Sequence, residues 1–120
     1  MILVDTSIWV DHFGASVPKL VAALESDQVL IHPFIVGELA CGSLPDREQT
    51  LQLLQQLRHA TVAEPDEVLA YIATHRLYGR GIGYVDAHLL ASVGIDGAVL
   101  WTRDKRLHAA AVELGLASRP

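Results

Sequence analysis

Four carboxylates in this sequence lie where a packed domain has little structural use for a negative charge. They are Asp5, Glu38, Asp86 and Asp104. Asp5 and Asp104 follow short apolar runs, and Asp86 opens an apolar stretch. Glu38 lies within a segment whose neighbouring residues are apolar or small. Because a buried carboxylate is costly unless it is paired or bound to a metal, these positions predict chemistry as well as packing.

Each acid also has a structural explanation that stays open while the acid is considered alone. Asp5 and Asp104 can cap helices that we predict to begin just after them. Asp86 suits the first turn of a helix capped by Gly83, because the helix dipole favours a negative charge there. Glu38 falls in the middle of a predicted helix. We expect it to be buried, and its structural alternative is the exposed edge of an otherwise buried helix.

As a group, the four acids predict a divalent metal site. Carboxylates that share one cleft repel each other, and a cation must offset that repulsion. Hard cations with oxygen ligands do this, above all Mg²⁺ or Mn²⁺. Such an ion binds phosphate oxygens and makes a nucleophile of water at neutral pH. The group therefore favours a metal-dependent phosphodiesterase.

The elements that would position these acids alternate between strands and helices. Uniformly apolar runs predict strands over residues 2–4, 29–31, 60–62 and 98–101. Helical spacing predicts helices over 7–13, 33–42, 65–77, 84–93 and 104–114, and two more that begin near Val17 and after Asp46. Apolar strands separated by helices are typical of a parallel sheet covered on both faces. We therefore predict a three-layer α/β/α fold with a central, mainly parallel sheet, whose ligands bind at the carboxyl ends of the strands.

Composition limits the function classes. The 120 residues suit a single domain, residues 1–120, and 51% of them are hydrophobic, which excludes a disordered chain. The net charge of −5 excludes a nucleic-acid binder that works by bulk positive charge. A single cysteine, Cys41, excludes an internal disulfide, is expected to be buried, and indicates a reducing, cytoplasmic setting. The N-terminus does not read as a signal peptide, and the longest apolar stretch, residues 29–42, is too short and broken to cross a membrane.

Four segments together resemble the PIN-domain ribonucleases, and among them the VapC toxins of type II toxin–antitoxin systems. The segments are residues 2–12, 32–39, 81–92 and 100–104. Any one of them is common, but all four in this order over the whole chain are specific. The resemblance implies a PIN-like α/β fold, endonucleolytic cleavage of RNA with Mg²⁺ or Mn²⁺, and capture by a cognate antitoxin that covers the acidic site. With the apolar composition, it also implies a homodimer.

The resemblance assigns roles to particular residues. The family's catalytic, metal-binding acids match Asp5, Glu38, Asp86 and Asp104, with the first three around one ion and the last completing that site or helping to hold a second. Ser7 and Thr102 match small hydroxyl residues that orient a carboxylate or a water molecule.

Outside the acids, Arg103 is the best candidate for RNA contact, although an ordinary solvated helix end explains it too. The histidines have no zinc-like spacing.

Alternative functions stay open at this stage. An aspartyl-phosphate phosphatase needs a second aspartate where Ser7 stands. A phospho-receiver domain needs paired acids after the first strand and a lysine at the end of the last strand, whereas Lys105 lies beyond Asp104. A third alternative is a catalytically silent α/β module whose acidic cleft binds a basic partner peptide. Metal-dependent RNA cleavage separates the nuclease from all three.

Overall fold

The computed structural model of the protein describes residues 1–118. Residues 119 and 120, the last two of the predicted domain, lie outside that range. Four short strands and seven helices alternate along the chain. In order they are β1 (Ile2–Val4), α1 (Thr6–Gly14), α2 (Pro18–Glu25), β2 (Val29–Ile31), α3 (Pro33–Ala40), α4 (Arg47–Gln55), β3 (Arg58–His59), α5 (Pro65–Thr74), α6 (Tyr84–Asp96), β4 (Val99–Trp101) and α7 (Lys105–Glu113).

The strands form one parallel sheet in the order β3-β2-β1-β4. Leu3 and Val4 are adjacent in β1 and both fully buried. Because neighbouring strand residues point to opposite faces, helices must cover the sheet on both sides. This confirms the predicted three-layer α/β fold. The chain leaves β1 in one direction for β2 and β3, while β4 lies on the other side of β1. The switch point at which such sheets bind ligands is therefore between β1 and β4.

The third strand is not where the apolar pattern places it. We expected residues 60–62, but the strand is Arg58–His59, both exposed. It pairs with β2 through Leu30↔Arg58 and Ile31↔His59, and the next amide, Ala60 N, donates to Ile31 O over 2.8 Å. An edge strand is defined by a single ladder of backbone hydrogen bonds, and its side chains need not be apolar. The apolar pattern therefore misplaced it.

Several helix ends also differ from the sequence expectation. Helix α6 continues to Asp96, three residues beyond the predicted end, and stops at Gly97, whose φ of 61° suits a glycine cap. Helix α5 ends at Thr74, so Leu77 packs into the core from the following loop. Cys41 was expected to be buried but is exposed at the C-cap of α3. Each helix in the described part of the chain is too short or too polar to cross a lipid bilayer.

Candidate active site

Asp5 lies at the carboxyl end of β1, at the predicted switch point of the sheet. Its carboxylate is buried and both oxygens accept hydrogen bonds: Oδ1 from Thr6 N over 2.8 Å, and Oδ2 from Thr102 Oγ1 over 2.7 Å. Its own amide donates to Trp101 O over 2.9 Å, which joins the ends of β1 and β4. Asp5 therefore caps α1 and also presents a fixed carboxylate at the end of the sheet.

Asp104 reaches the same place from β4. It caps α7 through Oδ1, which accepts from Arg106 N over 2.9 Å and from Leu107 N over 3.0 Å. Its amide donates to Thr102 Oγ1 over 3.1 Å. The buried hydroxyl of Thr102 thus donates to Asp5 and accepts from Asp104, and one side chain fixes the relative positions of two acids.

Glu38 is exposed, which corrects our expectation that it is buried. Helix α3 buries Ile35 and Leu39, and the intervening turn carries Glu38 on its outer side. The carboxylate nevertheless faces α1, because its Oε1 accepts a hydrogen bond from Thr6 Oγ1 over 2.7 Å. Sequence reasoning missed Thr6. In the sequence, Thr6 is marked only by its hydroxyl group and by its position directly after Asp5, in the first turn of α1.

Asp86 opens α6 and is half-buried, with its Oδ2 accepting from Gly83 N over 3.1 Å. Burial raises the pKa of its carboxyl group, and the hydrogen bond from Gly83 partly offsets this rise. The negative charges of Asp5, Asp104 and Glu38 each raise that pKa further. Four separate parts of the sequence therefore bring their carboxylates together, close enough for three of the charges to act on Asp86.

The loop before Asp86 depends on a close approach to α7. Gly81 has a φ of 76°, a conformation that side chains rarely adopt. A Cβ at this position would also collide with the side chain of Arg106. The glycine therefore lets the loop that leads into α6 pack against the same helix that Asp104 caps.

The donor atoms suit a hard cation. The four acids supply only carboxylate oxygens, with threonine hydroxyls beside them, which is the ligand chemistry of Mg²⁺ and Mn²⁺. Within residues 1–118, no group of three or more His, Cys, Asp or Glu side chains is already placed to hold an ion directly. Glu38 and Asp86 are turned instead toward Thr6 and Gly83. Mg²⁺ does not need three side chains in direct contact, because it retains several waters and takes only one or two carboxylates directly.

Two other predicted residues lie beside the acids. Ser7 accepts a hydrogen bond from Arg103 N over 3.3 Å, so it supports the loop after β4. The guanidinium of Arg103 forms an ion pair with Asp11 on α1, although both side chains are about half exposed. Together these contacts attach the 102–104 loop to α1.

The histidines near the site act structurally. His32 follows β2, and its Nδ1 accepts from Phe34 N over 3.0 Å to cap α3. Burial, helped by the charge of nearby His88, lowers the pKa of His32 to about 4, and burial also lowers the pKa of His88. The Phe34 ring lies against both imidazoles. His32 is therefore neutral at physiological pH, and both imidazoles pack against Phe34.

Comparison with known protein families gives a match over nearly the whole chain. The model of the PIN domain matches residues 2–113. Ribonuclease VapC32 from two strains of Mycobacterium tuberculosis is 50% identical over 118 residues, which are 98% of this chain and 95% of the relative.

Solved structures share the fold at lower sequence identity. A toxin-antitoxin complex from Klebsiella pneumoniae gives a TM-score of 0.68 at 21% identity and covers 91% of each chain. PAE2754 from Pyrobaculum aerophilum gives 0.61 at 20% identity, over 96% of this chain and 85% of the other. FitAcB from Neisseria gonorrhoeae gives 0.59 at 24% identity, over 93% and 94%. At these identities the likeness concerns the fold alone.

Proposed function

Because this chain belongs to the PIN-domain family, we propose that it is a divalent-metal-dependent endoribonuclease and the toxin of a toxin–antitoxin pair. The observation that carries the proposal is the meeting of acids at the carboxyl end of the sheet, where Thr102 links Asp5 to Asp104 and Thr6 holds Glu38. Burial raises the pKa of Asp86, and the negative charges of the other three acids raise it further. A cation would remove this cost, which is the behaviour expected of a site that binds metal. The similarity to a ribonuclease supports RNA as the substrate.

In this proposal Asp5, Glu38 and Asp86 hold Mg²⁺ or Mn²⁺, and Asp104 completes that site or helps to hold a second ion. The chemistry that a bound ion supplies is polarisation of the phosphodiester and generation of a nucleophile from water at neutral pH. The chain's own contribution is orientation. Thr102 fixes the Asp5 carboxylate and Thr6 holds that of Glu38, so two hydroxyls preset the donor atoms.

The test is RNA cleavage by the purified chain with Mg²⁺ or Mn²⁺, with EDTA, and by Asp5→Asn. Asp66→Asn is the matched control, because it removes an exposed carboxylate from the first turn of α5. We expect metal-dependent cleavage by the wild type and the control, and none with EDTA or Asp5→Asn. Undiminished cleavage in EDTA would contradict the mechanism. Absence of cleavage together with binding of a basic peptide that Asp5→Asn abolishes would favour the silent binding module.

An apolar groove beside Glu38 is our candidate docking site for the antitoxin. It has a volume of about 470 Å³ and lies between α1, the end of α3 and the following loop, with Phe13 and Leu44 in its wall. Val10 in the same wall is 57% exposed, so the groove is bordered by an accessible apolar side chain. An antitoxin segment with apolar residues for the groove and a basic residue for Glu38 fits this surface. We expect Val10→Asp to abolish co-purification with the antitoxin while RNA cleavage persists.

A homodimer is also part of the proposal. Val62, Leu69 and Ile95 are 45%, 58% and 51% exposed on the side formed by α5 and α6. Thr61 bonds Asp96 through both its amide and its hydroxyl, so the segments that carry Val62 and Ile95 are adjacent. Light scattering that gives the monomer mass at micromolar concentration would refute the dimer.

The proposal also places the protein in the cytoplasm. Cys41 is an exposed, unpaired cysteine, and such a thiol persists most readily in a reducing compartment. Fractionation of cells that express the native gene tests this location.

A further inference from the structure

Arg106, in the first turn of α7, is an exposed cation beside the four acids. Among residues 1–118, no carboxylate forms an ion pair with it. The arginines in the two neighbouring loops differ in this respect, because Arg80 is paired with Glu113 and Arg103 with Asp11. The positive charge of Arg106 is therefore available to an anion that arrives from solution.

Arg106 connects the elements that carry two of the acids. Its amide donates to Asp104 Oδ1 over 2.9 Å at the start of α7. Its side chain lies against Gly81 in the loop that leads to Asp86, and its Nη1, Cζ and Cδ atoms occupy the space that a Cβ at position 81 would need. The absence of a side chain at Gly81 therefore holds the guanidinium at the border of the acidic cleft, between α7 and the start of α6.

Tyr84 places an exposed aromatic ring at the start of α6, between Gly81 and Asp86 in the sequence. The residue is 49% exposed. Its ring meets the imidazole of His88, one turn further along α6, with 4.6 Å between the ring centroids and an angle of 84° between the ring planes. Because rings at this angle meet edge to face, the contact covers at most one face of the Tyr84 ring. His88 therefore leaves a face of this ring open to a further planar group.

The contact with His88 also fixes the place of the Tyr84 ring. His88 is buried, and its imidazole packs against Phe34 of α3 with 4.7 Å between the ring centroids. Phe34 lies one helical turn from Glu38, so the two side chains share a side of α3. The Tyr84 ring is therefore held where the helices of Asp86 and Glu38 meet. A ring that is held in advance loses little conformational freedom when a ligand stacks on it.

A cation beside an exposed aromatic ring is the combination that binds unpaired nucleotides, because the cation attracts the phosphates and the ring stacks on a base. Such local attraction matters in this chain, whose net charge is −5 and whose four acids repel a polyanion. Arg106 and Tyr84 flank residues 82 and 83, which lead to Asp86. An RNA strand that enters the acidic cleft along this border would meet both side chains.

We propose that Arg106 and Tyr84 bind single-stranded RNA beside the cleaved bond, Arg106 through a phosphate and Tyr84 by stacking on an unpaired base. This assignment rests on the proposed ribonuclease function for its substrate class. Neither residue is a proposed metal ligand, so binding through them needs no divalent ion. It is therefore measurable apart from cleavage.

The test measures binding of fluorescently labelled poly(U) by anisotropy in EDTA, where metal-dependent cleavage cannot interfere. We expect Tyr84→Ala to bind about 10-fold more weakly, and Tyr84→Phe, which keeps the ring, to stay within about 2-fold of the wild type. Arg106→Gln should bind about 5-fold more weakly, with the salt dependence of log affinity reduced by about 0.7 for one lost phosphate contact. The matched control is Arg58→Gln, which removes a positive charge from β3 at the opposite edge of the sheet and should change affinity by less than about 2-fold.

A second probe separates stacking from charge. Inorganic polyphosphate is a linear polyanion without bases, so Arg106→Gln should weaken its binding and Tyr84→Ala should not. An equal loss for poly(U) and polyphosphate in Tyr84→Ala would show that the tyrosine does not act by stacking, and would overturn its assignment.

Other outcomes would also overturn the proposal: no binding of poly(U) by the wild type, wild-type affinity in both Arg106→Gln and Tyr84→Ala, or an equal loss in Arg58→Gln. Unchanged RNA binding with weaker antitoxin co-purification would assign this surface to a protein partner instead. Circular dichroism melting of each variant verifies that a loss of binding is not a loss of folding.

Cleavage is scored separately, in Mg²⁺ or Mn²⁺. A wild type that binds RNA through Arg106 and Tyr84 but cleaves none retains the binding surface and refutes the nuclease. Metal-dependent cleavage with no role for either residue in binding retains the nuclease and refutes the surface.

Discussion

The two halves of the acidic cleft are built differently. On the strand side, Asp5 and Asp104 follow β1 and β4 and are linked through the hydroxyl of Thr102. On the helix side, Glu38 and Asp86 lie on α3 and α6, and each accepts a single hydrogen bond, from Thr6 and from Gly83. Asp5 is buried with both oxygens bound, whereas Glu38 is exposed with one.

This difference implies that the strand-side acids stabilise the fold, whereas the helix-side acids matter mainly for the proposed chemistry. The strand-side acids cap α1 and α7, so their carboxylates stabilise the fold whether or not a metal binds. On the helix side, Glu38 is exposed, and the half-buried charge of Asp86 opposes folding although its Oδ2 accepts from Gly83 N at the start of α6. Two carboxylates preset by several hydrogen bonds, beside two that each accept one, suit a cation that demands near-ideal geometry.

The largest effect is expected from Asp5→Asn. We expect RNA cleavage to fall at least about 100-fold, because a donor charge is lost. The free energy of unfolding should also fall by about 1–2 kcal/mol, because the amide nitrogen cannot accept the hydrogen bond from Thr102. Initial cleavage rates and urea melts measure the two losses. A variant as active as the wild type would remove Asp5 from the site.

Glu38→Gln should reduce RNA cleavage without reducing stability, unlike Asp5→Asn. We expect a loss of cleavage of the same order, about 100-fold, with a change in unfolding free energy below about 0.5 kcal/mol, since the side chain is exposed. The same rate assay and urea melts apply. If Glu38→Gln destabilised the protein as much as Asp5→Asn, the distinction between a structural and a chemical half would be wrong.

Thr102 and Thr6 test the same contrast between strand-side and helix-side acids, because each threonine bonds an acid and is not itself a proposed metal ligand. Thr102→Val leaves Asp5 and the amide of Asp104 without a buried partner, and we expect a loss of about 1–3 kcal/mol in stability and about 10-fold in cleavage. Thr6→Val removes only the exposed bond to Glu38, so its loss of stability should be below about 0.5 kcal/mol. Equal destabilisation by both substitutions would contradict the comparison.

The smallest expected effect, and the one of opposite sign, comes from Asp86. Burial and its acidic neighbours raise the pKa of this group, so the folded chain holds the proton more tightly than the unfolded chain. Stability therefore falls as pH rises from below the ordinary aspartate pKa through the raised one. We expect Asp86→Asn to raise Tm slightly at pH 7, and the gain to disappear in acid. Thermal melts across this pH range measure it.

The same melts sharpen the metal proposal. Addition of MgCl₂ should raise the Tm of the wild type, because a ligand that binds only the folded state stabilises it. The rise should be smaller in Asp86→Asn, in which one source of repulsion is already gone. A rise equal in both proteins would show that Mg²⁺ acts elsewhere on the chain.

Much of this architecture was predictable because it is local. The apolar runs located β1, β2 and β4, and Asp5 and Asp104, which follow β1 and β4, cap the next helices as expected. The third strand was misplaced because its side chains at the sheet edge are exposed. The burial of Glu38 was predicted wrongly because apolar neighbours in sequence do not determine which side of α3 faces solvent.

By itself, the sequence determined the order of the elements and the presence of an acid after β1 and after β4. These features depend on contacts between residues a few positions apart, which composition and spacing encode. Only the tertiary structure decided which groups meet: Thr102 with Asp5, 97 positions apart, and Thr6 with Glu38, 32 positions apart. Those contacts exist because β4 pairs beside β1 and α3 packs on α1. Such pairings are set by the packing of the whole chain, and no short segment contains the information to specify them.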